Sequence, residues 1–391
     1  MSQKEMSPKR RYATRLIELS ENDAQIGELM PDDSIRQNAI ANGSSFDKVI
    51  GAFLDGYSNR PALGERAYEV IADDSGRKVK NFLPAFNTVT YDGLHERIQQ
   101  LAMAWRTHER CLVSRSDFVL IIGFADIDFA TVDFACTYAK AVTVPVQSSS
   151  SGADLIEIVD NIKPVVVAST IEDLDLAAKL AIHQDNVHSI IVFNYDERVD
   201  ADREIVESVK QKLLDQGGEK KLFTLTELLE FGKDSRFSYL PDVENELNKP
   251  TAIIHSSGST GKPKGAVVSQ DAFIHHWTHR EVKLPRVTVL LAPLNHIMGR
   301  INLMTIMSCG GTGYFTLMPD MSTMLEDVRL ARPTFLSLFP RIFELIHQHY
   351  QNEVAILLRN STSSKEEIER QVMLDLRSNY LGDRLLCINV K

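Results

Sequence analysis

Four short runs of β-branched and aliphatic residues most limit what this chain can fold into: DFVLIIGF (117–124), AVTVPV (141–146), PVVVAS (164–169) and HSIIVFN (188–194). They are almost continuously apolar rather than alternating, so both faces of the sheet they form must be covered. Helical stretches separate them, notably DFATVDFACTYAKA (128–141) and IEDLDLAAKLAIH (171–183). This alternation predicts an α/β protein of layered, mostly parallel sheets flanked by helices. Two helices precede the series. FDKVIGAFLDGY (46–57) gathers Phe46, Val49, Ile50, Phe53 and Leu54 on one face, and YDGLHERIQQLAMAWRTH (91–108) spaces Leu94, Ile98 and Leu101 by three or four. The polar stretch 215–250 reads as a connection between lobes. A second α/β series then opens at TAIIH and runs through VTVLLAP (287–293), CGGTGYFT (309–316) and RPTFLSLFP (332–340). LLCINV reads as one further strand. Residues 9–21 read as a surface helix, within a helical extension 1–45 that precedes the main unit, 46–391.

Composition narrows the partners. A formal net charge of -10 argues against nucleic acid as a main partner, because phosphate backbones select basic faces. The four cysteines, Cys111, Cys136, Cys309 and Cys387, are scattered without metal spacing and read as reduced thiols. No apolar run approaches the roughly 18–20 residues that span a bilayer. The N-terminus lacks the apolar core of a secretory signal, so a cytoplasmic protein is expected.

Chemistry concentrates in HSSGSTGKPKG (255–265), directly after TAII. The P-loop pattern GxxxxGK(S/T) fails here twice. Its first glycine falls on Ser256, and Pro263 stands where a magnesium-binding hydroxyl belongs. AVVS (266–269) follows as another β-type run, so no helix dipole serves the loop. What remains is a nest of backbone N–H groups permitted by Gly258, Gly261 and Gly265. The hydroxyls of Ser256, Ser257, Ser259 and Thr260 and the ammonium of Lys264 add to it. Such a loop suits a leaving pyrophosphate, whose charge grows during attack on the α-phosphate. A plain connection between two strands of a hairpin uses the same residue types.

Other polar clusters carry less. His296 stands at a strand end, where ligands gather in α/β folds, or is a satisfied structural histidine. Arg300, four residues on, shares its face if a helix starts there, or makes an ordinary helix ion pair. His275, His276 and His279 lack a cysteine or carboxylate pair to complete a zinc set, and read as part of a helix. Ser148 to Ser151 have no GxSxG elbow and read as a polar loop.

HSSGSTGKPKGAVVS resembles the phosphate-loop signature of the adenylate-forming superfamily, (Y/H)(S/T)SG(S/T)TGxPKG. It matches at His255, Ser256, Ser257, Gly258, Ser259, Thr260, Gly261, Pro263, Lys264 and Gly265. GYSNRPAL (56–63), VTYDGLHERIQQLA (89–102), PLNHIMGR (293–300) and RPTFLSLFPRIFE (332–344) resemble further motifs of that family. VPVQSSSS (144–151), the HxMGR form at 296–300 and the N-terminal extension look most like the adenylation domain of carboxylic acid reductases, with long-chain acyl-CoA synthetases next. The resemblance implies the large N-terminal domain of the adenylate-forming fold and ATP-dependent activation of a carboxylic acid to an acyl-adenylate. It implies nucleotide contacts from residues 256 to 262, Lys264 and Gly265, with Lys262 among them. Catalytic roles fall on Thr260, Lys264 and His296. His296, Gly299 and Arg300 lie on the acid side, His296 near the acyl carboxylate and α-phosphate.

The family continues past a strand like LLCINV into its adenine-contacting turn, magnesium-binding Glu, ribose-binding Asp and a mobile domain with a catalytic Lys. None of these is in the chain, which is therefore expected to be C-terminally incomplete, and weak or inactive in ATP–pyrophosphate exchange. Of the implied cofactors ATP and Mg2+, the usual metal ligand lies outside it. NADPH and phosphopantetheine belong to carrier and reductase domains of a longer parent. Three readings stand: part of a reductase adenylation domain, part of a long-chain acyl-CoA synthetase, or a non-catalytic product that acts by binding.

Overall fold

A computed structural model describes residues 8–147, 149–257, 263–279 and 282–390. The chain begins with α1 (Pro8–Asn22), α2 (Ala24–Glu28), α3 (Asp33–Asn42) and α4 (Phe46–Gly56), then β1 (Pro61–Ala72), β2 (Lys78–Thr90) and α5 (Tyr91–Thr107). It continues through β3 (Phe118–Ile122), α6 (Ile127–Tyr138), β4 (Val142–Val146), α7 (Gly152–Ile162), β5 (Val166–Thr170), α8 (Leu174–His183) and β6 (Ser189–Phe193). Next come α9 (Asp200–Asp215), β7 (Lys221–Thr224), α10 (Leu225–Lys233), β8 (Pro250–Ser257), β9 (Pro263–Ser269) and α11 (Gln270–Thr278). The remainder is β10 (Val287–Leu290), α12 (Ile297–Met307), β11 (Thr312–Phe315), α13 (Met324–Ala331), β12 (Phe335–Leu338), α14 (Pro340–Asn360), α15 (Lys365–Asp375) and β13 (Cys387–Val390).

The four apolar runs become β3 to β6, inside a seven-stranded sheet of order β7-β6-β5-β3-β4-β8-β9. Neighbours are parallel except the β8–β9 pair. The absence of alternation in these runs has the expected cause. Val119 and Ile121 enter one core, with Leu94 and Ile98 of α5, while Leu120 and Ile122 enter another, with Leu155 and Ile158 of α7. Helices thus cover both faces. A second sheet has the order β10-β11-β1-β2, and β12 and β13 form a parallel pair.

The observed division of the chain differs from the sequence reading in three places. TAIIH does not open a second series: β8 completes the first sheet, Ala252 pairing with Thr143 of β4. The stretch 215–250 is only partly a connection. It contains edge strand β7 and helix α10, whose capping box joins Thr224 and Glu227. Between α4 and α5 lies a long antiparallel hairpin, β1–β2, for which no strand is expected from the sequence. Most of β2 is exposed or half-buried, so it lacks the apolar signature of the buried strands.

The N-terminal helices pack onto the body. Leu19, Ile26 and Leu29 share a core with Val287 and Val289 of β10 and Leu336 of β12. Asp23 caps α2 by accepting from the Ile26 N–H, and its carboxylate also pairs with Arg384, Nε to Oδ2 at 2.6 Å. That contact ties α1–α2 to the segment leading into β13.

Candidate functional site

The loop signature is carried by an antiparallel hairpin. β8 runs parallel to β4, so its Ser257 end lies at the carboxyl edge of the sheet, where α/β folds bind ligands. The chain returns as β9, with Ser256 opposite Lys264 and His255 opposite Gly265. Cross-strand partners share a face, so the Ser256 and Lys264 side chains leave the hairpin on one face, both exposed. Gly258, Ser259, Thr260, Gly261 and Lys262 lie outside the described residues, as does the Ser257 side chain.

Gly265 has a different reason to be glycine than the one read from the sequence. It sits in extended strand, and a Cβ there would meet Ile253 Cγ2 at 2.6 Å and His255 Nε2 at 3.0 Å. Cross-strand crowding, and not loop conformation, requires it. His255 is half-buried, and that burial lowers its pKa below the usual 6.5. Its neutral form is favoured in the folded state, so the unfolded chain binds more protons as pH falls below about 6.5. This contribution to stability is intact above that pH and is lost on acidification toward the lowered folded value. Replacing His255 by Gln is expected to flatten the slope of denaturation midpoint against pH between about 7 and 5; an unchanged slope would refute the assignment.

His296 occupies the N-cap of α12. Its Nδ1 accepts from the Met298 N–H at 3.1 Å, which leaves the proton of a neutral ring on Nε2. The ring is exposed, so a donor points outward beside the first-turn N–H groups of the helix. Gly299 locks this end in place. A Cβ there would lie 2.2 Å from the Pro293 carbonyl oxygen and 2.7 Å from that of Ala292.

Arg300 is on α12 as expected, but its guanidinium turns inward. It is 3% exposed and grips Asp133 of α6 in a fork, Nη1 to Oδ2 at 2.9 Å and Nη2 to Oδ1 at 2.5 Å. Thr143 of β4 donates to the same carboxylate at 2.7 Å. Since Thr143 pairs with Ala252 of β8, a buried polar chain joins the His296 helix to the strand that carries the loop. Both terminal nitrogens of the Arg300 guanidinium are thus engaged by Asp133. The sequence reading missed Asp133. Its signal was a carboxylate in the middle of the apolar run DFATVDFACTYAKA, where a charge requires a buried partner.

The remaining candidates lie outside the loop hairpin. His275 and His279 stack at 3.7 Å on and beside α11. Ser151 caps α7, and Ser148 lies outside the described residues. Among the described residues no group of three or more His, Cys, Asp or Glu is arranged to hold a metal, so no step is derived through Mg2+. No helix among them is long and apolar enough to cross a membrane.

Residues 69–383 match the family model described as AMP-binding enzyme. A carboxylic acid reductase of Segniliparus rugosus is 34% identical over 386 residues, which cover 96% of this chain and 32% of that protein. The chain thus spans about a third of that relative's length. The solved adenylation domain of carboxylic acid reductase from the same organism, in complex with AMP and a co-purified carboxylic acid, superposes with a TM-score of 0.90 at 32% identity. That match covers 97% of this chain and 61% of the solved one. A long-chain-fatty-acid–CoA ligase of Mus musculus is more distant, 23% identical over 83% of the chain. The chain belongs to the AMP-binding enzyme family, with the fold of the carboxylic acid reductase adenylation domain.

Proposed function

We propose that this chain takes part in the ATP-dependent activation of a carboxylic acid. A carboxylate oxygen attacks the α-phosphorus of ATP, the bond from that phosphorus to the bridging oxygen breaks, and acyl-adenylate and pyrophosphate result. The observation that carries the reading is the pairing of Ser256 with Lys264 at the carboxyl edge of the sheet. There a hydroxyl and an ammonium meet the charge that develops on the leaving pyrophosphate. Thr260 and Lys262, with Ser257, Gly258, Ser259 and Gly261, would complete the cradle as the family signature implies. His296 would donate from Nε2 to the acid or the α-phosphate. The downstream fate best supported by the similarity is transfer to a carrier thiol and reduction to an aldehyde. In that reading phosphopantetheine and NADPH belong to carrier and reductase domains of a longer protein. The greater identity and coverage of the reductase match favour it over a fatty acid–CoA ligase.

The readout closest to these residues is binding of inorganic pyrophosphate, followed by acid-dependent ATP–pyrophosphate exchange. Lys264→Ala is expected to weaken pyrophosphate binding roughly tenfold or more, since it removes a charge-assisted hydrogen bond. The thermal midpoint should not move, because Lys264 is exposed. Unchanged pyrophosphate affinity of Lys264→Ala in calorimetry would sink the proposal.

A further inference from the structure

A cavity of about 100 Å3 lies between α12, β10 and the β12–β13 pair. No described residue of the β8–β9 hairpin is among its lining. Leu290, Ile301, Arg286 and Ile306 are among the residues that line it. His296 caps that helix, and the eight residue steps from Ile297 to Thr305 carry the axis about 12 Å from the N-terminus.

Two buried polar groups on the wall of this cavity have no hydrogen-bond partner. Ser337 is 5% exposed, and its Oγ makes no hydrogen bond. Arg286 Nε is buried without an acceptor, and its guanidinium carbon lies 4.2 Å over the Phe335 ring. Among the described residues no carboxylate pairs with Arg286, and no Asp or Glu lines the cavity. The amides of Asn302 and Asn389 add further hydrogen-bonding groups to its wall. Buried polar groups left unpaired are costly, and a guanidinium without a counter-charge presents a planar fork that fits a carboxylate. A hydrocarbon tail would leave Arg286 Nε and Ser337 Oγ unpaired. A carboxylate would satisfy Arg286 and accept from Ser337.

We propose that this cavity receives the far end of the acid and binds a second carboxylate there through Arg286 and Ser337, so that the chain selects α,ω-dicarboxylic acids over monoacids of equal length. The identity of the near end rests on the acid-activation reading above, which places the reacting carboxylate at the N-terminus of α12. Discrimination of this kind is strong because a site built around buried donors rejects the analogue that lacks the matching group.

Calorimetric titration of the 391-residue chain with octanedioate and octanoate tests this, with inorganic pyrophosphate as control titrant. Octanedioate is expected to bind at least tenfold more tightly. Arg286→Met, which keeps an unbranched side chain over Phe335, should abolish the difference; Ser337→Ala should reduce it by a few fold, with pyrophosphate affinity unchanged in both. Equal affinities in the unsubstituted chain, no binding of either acid, or a preference that survives both substitutions overturns the proposal. Should Arg286→Met fail to fold, an undiminished preference in Ser337→Ala overturns it alone. A dicarboxylate preference without pyrophosphate binding would leave the cavity assigned and the acid-activation reading refuted. Pyrophosphate binding without the preference would do the reverse.

Discussion

Asp133→Ala is expected to remove about 3–5 kcal/mol of folding stability, because it strands the buried Arg300 guanidinium and the Thr143 hydroxyl together. Both members of the pair are nearly inaccessible, 3% for Arg300 and 4% for Asp133. The loss is a substantial fraction of the stability of an ordinary domain, so denaturant unfolding will read it directly. Replacing the pair together, as Asp133→Leu with Arg300→Met, should recover most of it, since a buried ion pair seldom outperforms well-packed apolar side chains. The recovered protein would then show what the pair does beyond stability. With α12 no longer tied through Asp133 to β4, affinity for an acylsulfamoyl-adenosine analogue should fall while the unfolding midpoint stays near that of the parent. A single substitution costing under about 1 kcal/mol would contradict the buried fork.

Gly299→Ala should lower affinity for the same analogue by about a hundredfold, with a smaller loss of stability, about 1–3 kcal/mol. The added methyl would meet two backbone carbonyl oxygens, at 2.2 and 2.7 Å, and neither can rotate aside as a side chain would. Relief requires α12 to move away from residues 292–293, taking His296 and the first-turn N–H groups with it. Positioned groups are sensitive to displacements of about 1 Å, so binding should suffer more than folding. Wild-type affinity in a folded Gly299→Ala protein would show that the N-terminus of α12 is not part of the site.

What the sequence made legible follows from range. The buried parallel strands and the helices α4 and α5 declare themselves within a dozen residues, through period and composition. The return of the loop as a second strand was likewise local, written in AVVS after Gly265. Hidden features depended on partners far away. Nothing near TAIIH says that Ala252 will pair with Thr143, and nothing near Arg300 says that its partner is Asp133, 167 residues earlier. The β1–β2 hairpin escaped for another reason. Its second strand faces solvent along much of its length, so neither an apolar run nor a clean alternation marks it. Gly265 was read as a loop glycine when its constraint comes from His255 and Ile253 across the hairpin.

The docking of α1 and α2 sets an order of events during synthesis. Leu19, Ile26 and Leu29 leave the ribosome well before the surface that buries them, which includes Val287, Leu336 and Leu338. Asp23 must likewise wait for Arg384. The leading segment therefore remains undocked while the seven-stranded sheet, which is complete at Ser269, forms behind it. Its closure spans more than 250 residues, which makes it a late step and leaves its apolar face exposed to chaperones until then.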